Sequence, residues 1–279
     1  MHLYKEYIGL GIAGNFALHL DQAGEAEDFK DIITEDEAAP KGMFPFYLPN
    51  SPLSSAKEIL KTYPLSNETI KLPKKDVNVQ AEPEVGLICD FHYTEGKLCK
   101  VIPTYFGAYN DCSIRVAGAQ KISDKKNWGV NSKGFSNTLI KIDRFKNGGV
   151  MDDYSLCSFL RRNGEIHAYG ENVALNGYSY FYEKLTEWIL HQLLTQKDFG
   201  PLEPISTYIK ACGNPTQAII SIGATRYTPY GENTFLQAGD EVLVALYKRN
   251  SYSLDEVIEN LKKEQYTLKD MSVLAQKVI

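Results

Sequence analysis

The sequence predicts an α+β protein, predominantly β, with a few peripheral helices. Its apolar runs are short, glycine-punctuated and rich in β-branched residues, and its aromatics lean to tyrosine, 18 against 12 phenylalanines. Both features favour strands over long helices. The spacing of the runs suggests one sheet-rich body rather than a βαβ alternation. At 279 residues and 43% apolar content, the chain can bury a large core without disulfide or zinc support.

Strands are expected at 7–12, 84–90, 100–108, 138–142, 155–161, 217–222 and 241–247. The segment 7–18 carries three glycines and an asparagine and runs into His19 and Asp21, so it reads as a strand and turn rather than a secretory apolar region. Residues 71–80 read as a polar connector. Phe181, Leu185, Trp188, Ile189 and Leu193 lie at helical spacing within 180–194. Ser253 and Glu256 form a capping-box start for a helix whose Leu254, Val257, Ile258 and Leu261 share one face. Leu268, Met271 and Leu274 predict a further short helix after Thr267. The domain reading is a catalytic body over 1–248 and a helical extension over 249–279.

Thirty basic against 35 acidic side chains leave a formal charge of −5, which argues against nucleic acid as a partner. Lys121, Lys125 and Lys126 are the nearest approach to a basic run and read as a solvated loop. Between Asp21 and Lys41 the chain carries Asp21, Glu25, Glu27, Asp28, Asp31, Glu35, Asp36 and Glu37 against Lys30 and Lys41. Such a run is expected to be a solvated loop or loose helix, with a mobile lid as the alternative. The five cysteines include no CxxC pair and fit a reducing cytoplasm. No stretch reaches the roughly 20 apolar residues of a membrane span.

The sharpest local feature is Glu82-Pro83-Glu84 at the head of the apolar run 85–89. In an extended chain residues i and i+2 project to one face, so both carboxylates point the same way. Like charges that close raise one pKa unless a cation lies between them, and hard divalent ions favour such oxygens. Taken alone, the pair also fits an exposed acidic strand end. Asp111, after the strand over 100–108, offers a third carboxylate, and the glycine-flanked loop over 128–135 could bring the Lys133 ammonium to the same place. His19 alone among the five histidines lies in a glycine-rich strand-to-loop segment. His2, His92, His167 and His191 read as a terminus, a strand end, a turn and a helix surface.

The order of these pieces resembles the fumarylacetoacetate hydrolase family from about Ile8 to Leu246. Gly14-Asn15-Phe16-Ala17-Leu18-His19 is similar to its G-x-N-Y-x-x-H segment, with phenylalanine for tyrosine. Residues 40–49 are similar to P-x-x-F-x-K-P, with Leu48 where lysine is usual. Glu82-x-Glu84 matches E-x-E-L-A-x-V-I, Asn110-Asp111-Cys112-Ser113-Ile114-Arg115 matches N-D-x-S-A-R, and Ser132-Lys133-Gly134-Phe135 matches the K-x-F loop. Asn163-Gly164-Glu165 resembles the N-G-E hairpin, and 235–242 the closing L-x-P-G-D-x-V strand. The T-G-T-P-x-G-V-G loop falls within 220–231, with either Ser221 and Ala224-Thr225 or Thr228-Pro229 in its threonine positions.

The resemblance implies a mixed β-sandwich roll and a homodimer. It implies that Glu82, Glu84 and Asp111 hold Mg²⁺ or Mn²⁺, with Ca²⁺ possible, for a small anionic 2-oxoacid or 1,3-dicarbonyl substrate. It implies catalytic roles for His19, Lys133 and the residue at position 22, and substrate contacts for Asn15, Phe16, Arg115 and Thr225. The reactions implied are C–C bond hydrolysis, decarboxylation or enol–keto isomerisation. Gln22 stands where the family's water-activating glutamate is usual, and an amide cannot compensate an imidazolium charge; that favours enolisation over hydrolysis. A non-catalytic relative retaining the ion for ligand binding or structure is the alternative, followed by a structural protein whose acidic pairs are surface charge.

Overall fold

The apolar runs pair into two large mixed sheets in a computed structural model of the chain, which describes residues 4–34, 36–52, 58–116 and 118–279. The strands are β1 (Ile8–Ala13), β2 (Gly42–Tyr47), β3 (Leu65–Ser66), β4 (Thr69–Ile70), β5 (Asn78–Gln80), β6 (Pro83–Thr94), β7 (Lys97–Asn110), β8 (Ser113–Arg115), β9 (Lys133–Phe135), β10 (Ile140–Lys141), β11 (Tyr154–Arg162), β12 (Glu165–Ala174), β13 (Gln217–Ser221), β14 (Glu241–Lys248) and β15 (Met271–Val278). The helices are α1 (His19–Gln22), α2 (Ser123–Lys126), α3 (Tyr182–Thr195), α4 (Ile205–Ala211), α5 (Pro229–Glu232) and α6 (Leu254–Lys262).

The first sheet runs β2-β1-β13-β6-β7-β9-β3, with β10 beside β7, and the second runs β12-β11-β14-β15-β4. In β1, Ile8, Leu10 and Ile12 are buried in the main core. The same cluster takes Leu156, Leu160, Val242, Val244 and Leu246 from the second sheet, so side chains from both sheets share one interior. α3 buries Leu185, Ile189 and Leu193. The fold class is the expected one, an α+β protein in which mixed sheets dominate.

Differences from the expectations have local causes. The capping box of Ser253 and Glu256 opens α6 as expected, but the segment after it is strand β15 rather than a helix. The i, i+3 spacing of Met271 and Leu274 is accidental to a period of two: Met271, Val273 and Ala275 pack with α6, while Leu274 and Val278 enter the main core. β15 pairs with β14 along Met271–Lys277. The strand expected over 138–142 is regular only at Ile140–Lys141. The connector over 71–80 ends in β5, which pairs with β8.

The lysine run is not a solvated loop. Lys125 and Lys126 are buried on α2, and Lys121 binds Asp198 and two backbone carbonyls. The acidic run is only partly solvated, because Glu25 is buried. Its Glu35, like His2, lies outside the described residues. Among the described residues no helix is long and apolar enough to cross a membrane.

Candidate functional site

Strand register brings the expected carboxylates together. In the β6–β7 pair Pro83 faces Asn110 and Glu84 faces Tyr109; one step further, Asp111 lies opposite Glu82, and its amide donates to the Glu82 carbonyl at 2.9 Å. In the β7–β9 pair Asn110 faces Gly134, so the next step sets Lys133 opposite Asp111. Residues directly opposite in adjacent strands share a face. The result is a row of Glu82, Asp111 and Lys133 across three strands, with Glu84 and Tyr109 in the next row.

One ligand atom from each of Glu82, Glu84 and Asp111 lies within 4.8 Å of the others, and all three residues are at most 2% exposed. The Lys133 ammonium donates to Asp111 Oδ1 at 2.5 Å and to its carbonyl at 3.1 Å. Glu84 Oε2 accepts from the Gly223 amide at 3.0 Å. Gly223 has φ +109° just beyond β13, a conformation open mainly to glycine, which turns that amide toward the carboxylate. Gln276 of β15 braces the row by accepting from Asn110 and donating to the Lys133 carbonyl. A Cβ at position 134 would collide with the Gln276 amide, so any larger residue there would displace that amide from its bonds to Asn110 and the Lys133 carbonyl.

Sequence reasoning missed a fifth member of the cluster. The Lys126 ammonium, 3% exposed with its residue, binds Glu82 Oε2 and lies 2.8 Å from Asp111 Oδ2. Ile122 offered a signal: it is buried and four residues upstream, so on a helix it shares its inward face with Lys126. Asn127 fixes the backbone there by donating to the carbonyls of Phe46, Ile59 and Thr62.

Arg115 completes the network. Its Nη2 lies 2.9 Å from Glu82 Oε1, Nη1 donates to Glu25 Oε1 at 2.7 Å and Nε to Gln80 at 2.7 Å. Lys125 binds Glu25 and Asp28, so the acidic segment is anchored at these two residues. The buried carboxylates of Glu25, Glu82 and Asp111 thus meet the cations of Arg115, Lys125, Lys126 and Lys133, with Glu84 on the Gly223 amide and Asp28 at the rim.

The charges act on one another strongly. Burial opposes ionisation of Glu82, but the Lys126 ammonium and then Arg115 hold its carboxyl well below the usual range. Burial, Asp111 and Glu82 push Glu84 well up. Burial lowers Lys133 despite Asp111, whereas Lys126 is raised because Asp111 and Glu82 outweigh its burial. The Tyr109 hydroxyl is buried without a hydrogen-bond partner.

The remaining expected residues divide between chemistry and scaffold. His19 is buried on α1, with Nδ1 2.9 Å from the Thr225 carbonyl. A carbonyl only accepts, so Nδ1 carries the proton and Nε2 keeps its lone pair. Gln22 does not touch the imidazole: its amide donates to the Tyr227 carbonyl at 3.2 Å and accepts from the Tyr227 amide at 2.9 Å. Asn15 is a staple, its side chain bonded to both backbone groups of Tyr180 and to the Ile222 carbonyl. Phe16 packs edge-on against Tyr178. The Thr225 amide donates to the Pro83 carbonyl at 3.2 Å.

Burial pulls the His19 pKa down from 6.5 to about 4. Between those values the unfolded chain binds a proton that the folded chain refuses, so stability falls as pH drops from 6.5 toward 4 and His19 adds no further loss below that. We expect the stability lost between pH 7 and pH 4.5 to be smaller in His19→Gln by about 2–3 kcal/mol. Urea unfolding at the two pH values checks this, and an equal loss in both proteins would show that His19 is not held neutral.

Residues 25–278 match a family described as "Family of unknown function (DUF5718)". The chain belongs to that family. No curated protein matches the sequence of this DUF5718 member. Several solved structures share its fold. A 2-keto-3-deoxyarabinonate dehydratase is 14% identical, with a TM-score of 0.54 over 98% of this chain and 73% of that one. A 5-carboxymethyl-2-hydroxymuconate delta-isomerase from Mycobacterium smegmatis is also 14% identical, with a TM-score of 0.54 over 98% and 78%. The 2-keto-3-deoxy-D-arabinonate dehydratase complexed with magnesium and 2,5-dioxopentanoate gives 16% identity and a TM-score of 0.52 over 98% and 72%. The DUF5718 chain is therefore a divergent protein with the fumarylacetoacetate hydrolase fold.

The donors suit a hard divalent ion in type and spacing. Glu82 Oε1 and Asp111 Oδ2 are buried without an aligned hydrogen bond; Arg115 and Lys126 approach them as ion contacts only. Such oxygens are the ones an ion would take where those cations give way.

Proposed function

We propose that this DUF5718 protein is a divalent-metal-dependent enzyme acting on a small anionic 2-oxoacid or 1,3-dicarbonyl compound through an enolate. The observation that carries the reading is the buried row of Glu82, Asp111 and Lys133 with Glu84 beside it. Glu82, Glu84 and Asp111 would hold Mg²⁺ or Mn²⁺, and the same oxygens accept Ca²⁺. When bound, the ion would supply Lewis-acid polarisation of a substrate oxygen.

The chain's own groups supply the rest. Lys133 places a positive charge beside the Asp111 carboxylate, where a developing enolate oxygen would be stabilised. His19 is neutral, and its Nδ1–H on Thr225 leaves Nε2 as the proton acceptor. Gln22 is occupied by the Tyr227 backbone, so no acid assists His19 from that position. That favours enolate formation, by removal of a carbon-bound proton in enol–keto isomerisation or by loss of CO₂ in decarboxylation, over hydrolysis. Glu25 bridges Arg115 and Lys125 across the cluster. The dehydratase and isomerase folds found above support the same class of chemistry. The proposal extends to a homodimer in a reducing cytoplasm; all five cysteines are free.

Solvent deuterium exchange into oxaloacetate and acylpyruvates with Mg²⁺ or Mn²⁺, followed by NMR, tests the reading. Metal-dependent exchange is expected at the carbon next to the carbonyl; its absence with every substrate and ion overturns the reading. The saturation of Asn15, Gln22 and Arg115 by protein groups favours one second reading, a non-catalytic protein of this fold. It expects ion binding without exchange.

A further inference from the structure

We infer that the Lys126 ammonium occupies the position a divalent ion would take, so that the lysine and the ion exclude each other. The inference rests on the reading of Glu82, Glu84 and Asp111 as an ion site. Its ground is geometry: one Nζ bridges an oxygen of Glu82 and an oxygen of Asp111, two of the three carboxylates grouped within 4.8 Å.

Charge supports exclusion. The buried network already sets four cationic side chains against no more than four buried carboxylates, so a dication added beside Lys126 would meet no uncompensated negative charge. Either the ammonium withdraws or the ion does not enter.

Withdrawal is confined to the side chain. The backbone is held on both sides, by α2 and by the three carbonyls that Asn127 engages. The ammonium already lies over the Phe44 ring, 5.4 Å from its centroid, and an aromatic face receives an ammonium favourably, so the side chain can shift toward the ring without losing that contact. Lys126 therefore sets the ion affinity of the site.

Titration calorimetry with Mn²⁺ and with Mg²⁺, read without substrate, tests this. Lys126→Met should bind Mn²⁺ about 10- to 1,000-fold more tightly than wild type, and its melting temperature should rise with Mn²⁺ more than that of wild type at the same ion concentration. Lys125→Met is the control: it removes a neighbouring buried ammonium that binds Glu25 and Asp28, and its affinity should stay near wild type. Lys126→Gln, which keeps a donor toward Glu82, covers the case in which the methionine variant does not fold.

Equal binding by wild type and the position-126 variants, or an equal gain in Lys125→Met, overturns the exclusion and leaves the ion site standing. No binding by any folded variant overturns the ion site itself, and the exclusion with it.

Discussion

Asp111→Ala is expected to lower folding stability by about 3–5 kcal/mol, the usual cost of removing one partner from a buried ion pair. Asp111 and Lys133 are both fully buried, and Asp111 also faces Lys126. Without the carboxylate, two ammonium groups lose a counter-charge in an interior that water does not reach. Burial already lowers Lys133 with Asp111 present, so in the variant it should shed its proton more readily. Urea unfolding measures the loss. Adding Lys133→Met should restore part of it, because the pair is then removed as a unit. A loss under about 1 kcal/mol would mean that water or another anion replaces the carboxylate.

Glu84→Gln should separate function from fold. The amide keeps the shape of the side chain and an oxygen for the Gly223 amide, and burial already disfavours the charged form of Glu84. Stability should stay within about 1 kcal/mol of wild type, or rise. Affinity for Mn²⁺ and metal-dependent exchange should both fall at least about a hundredfold, because one of three anionic ligands is gone. Calorimetry and the exchange assay measure the two quantities on the same preparation. Unchanged ion affinity would remove Glu84 from the ligand set.

The parts of the site legible in the sequence are those that strand geometry dictates. Glu82 and Glu84 share a face because strands have a period of two. Asp111 follows them because it ends the partner strand of the same hairpin. Lys133 lies opposite Asp111 through the adjoining strand. His19 was legible from its strand-to-loop context, although its partner, the Thr225 carbonyl, is 206 residues away.

What failed to show were contacts made by irregular segments. Lys125 and Lys126 look like solvated lysines, and Glu25 looks like one acid in a polar run. Lys125 and Glu25 are each other's counter-charge, Glu25 also meets Arg115, and Lys126 meets Glu82 and Asp111. Gln22 looked like a partner of His19, but its amide matches both backbone groups of Tyr227. The final strand looked helical because Met271 and Leu274 are three apart, and its pairing with β14 supplied hydrogen bonds that periodicity cannot show.

By itself the sequence determined a predominantly β chain of low net charge, with an ExE pair, an aspartate and a lysine at strand ends. These follow from local rules of alternation and spacing. Only the tertiary structure decided that an ammonium from a distant helix stands between two of the carboxylates and that Glu25 of the acidic segment joins the buried network through Arg115 and Lys125. The physical reason is that a charge can be buried only where an opposite charge meets it, and for Lys126 and Glu25 that partner lies in another part of the chain.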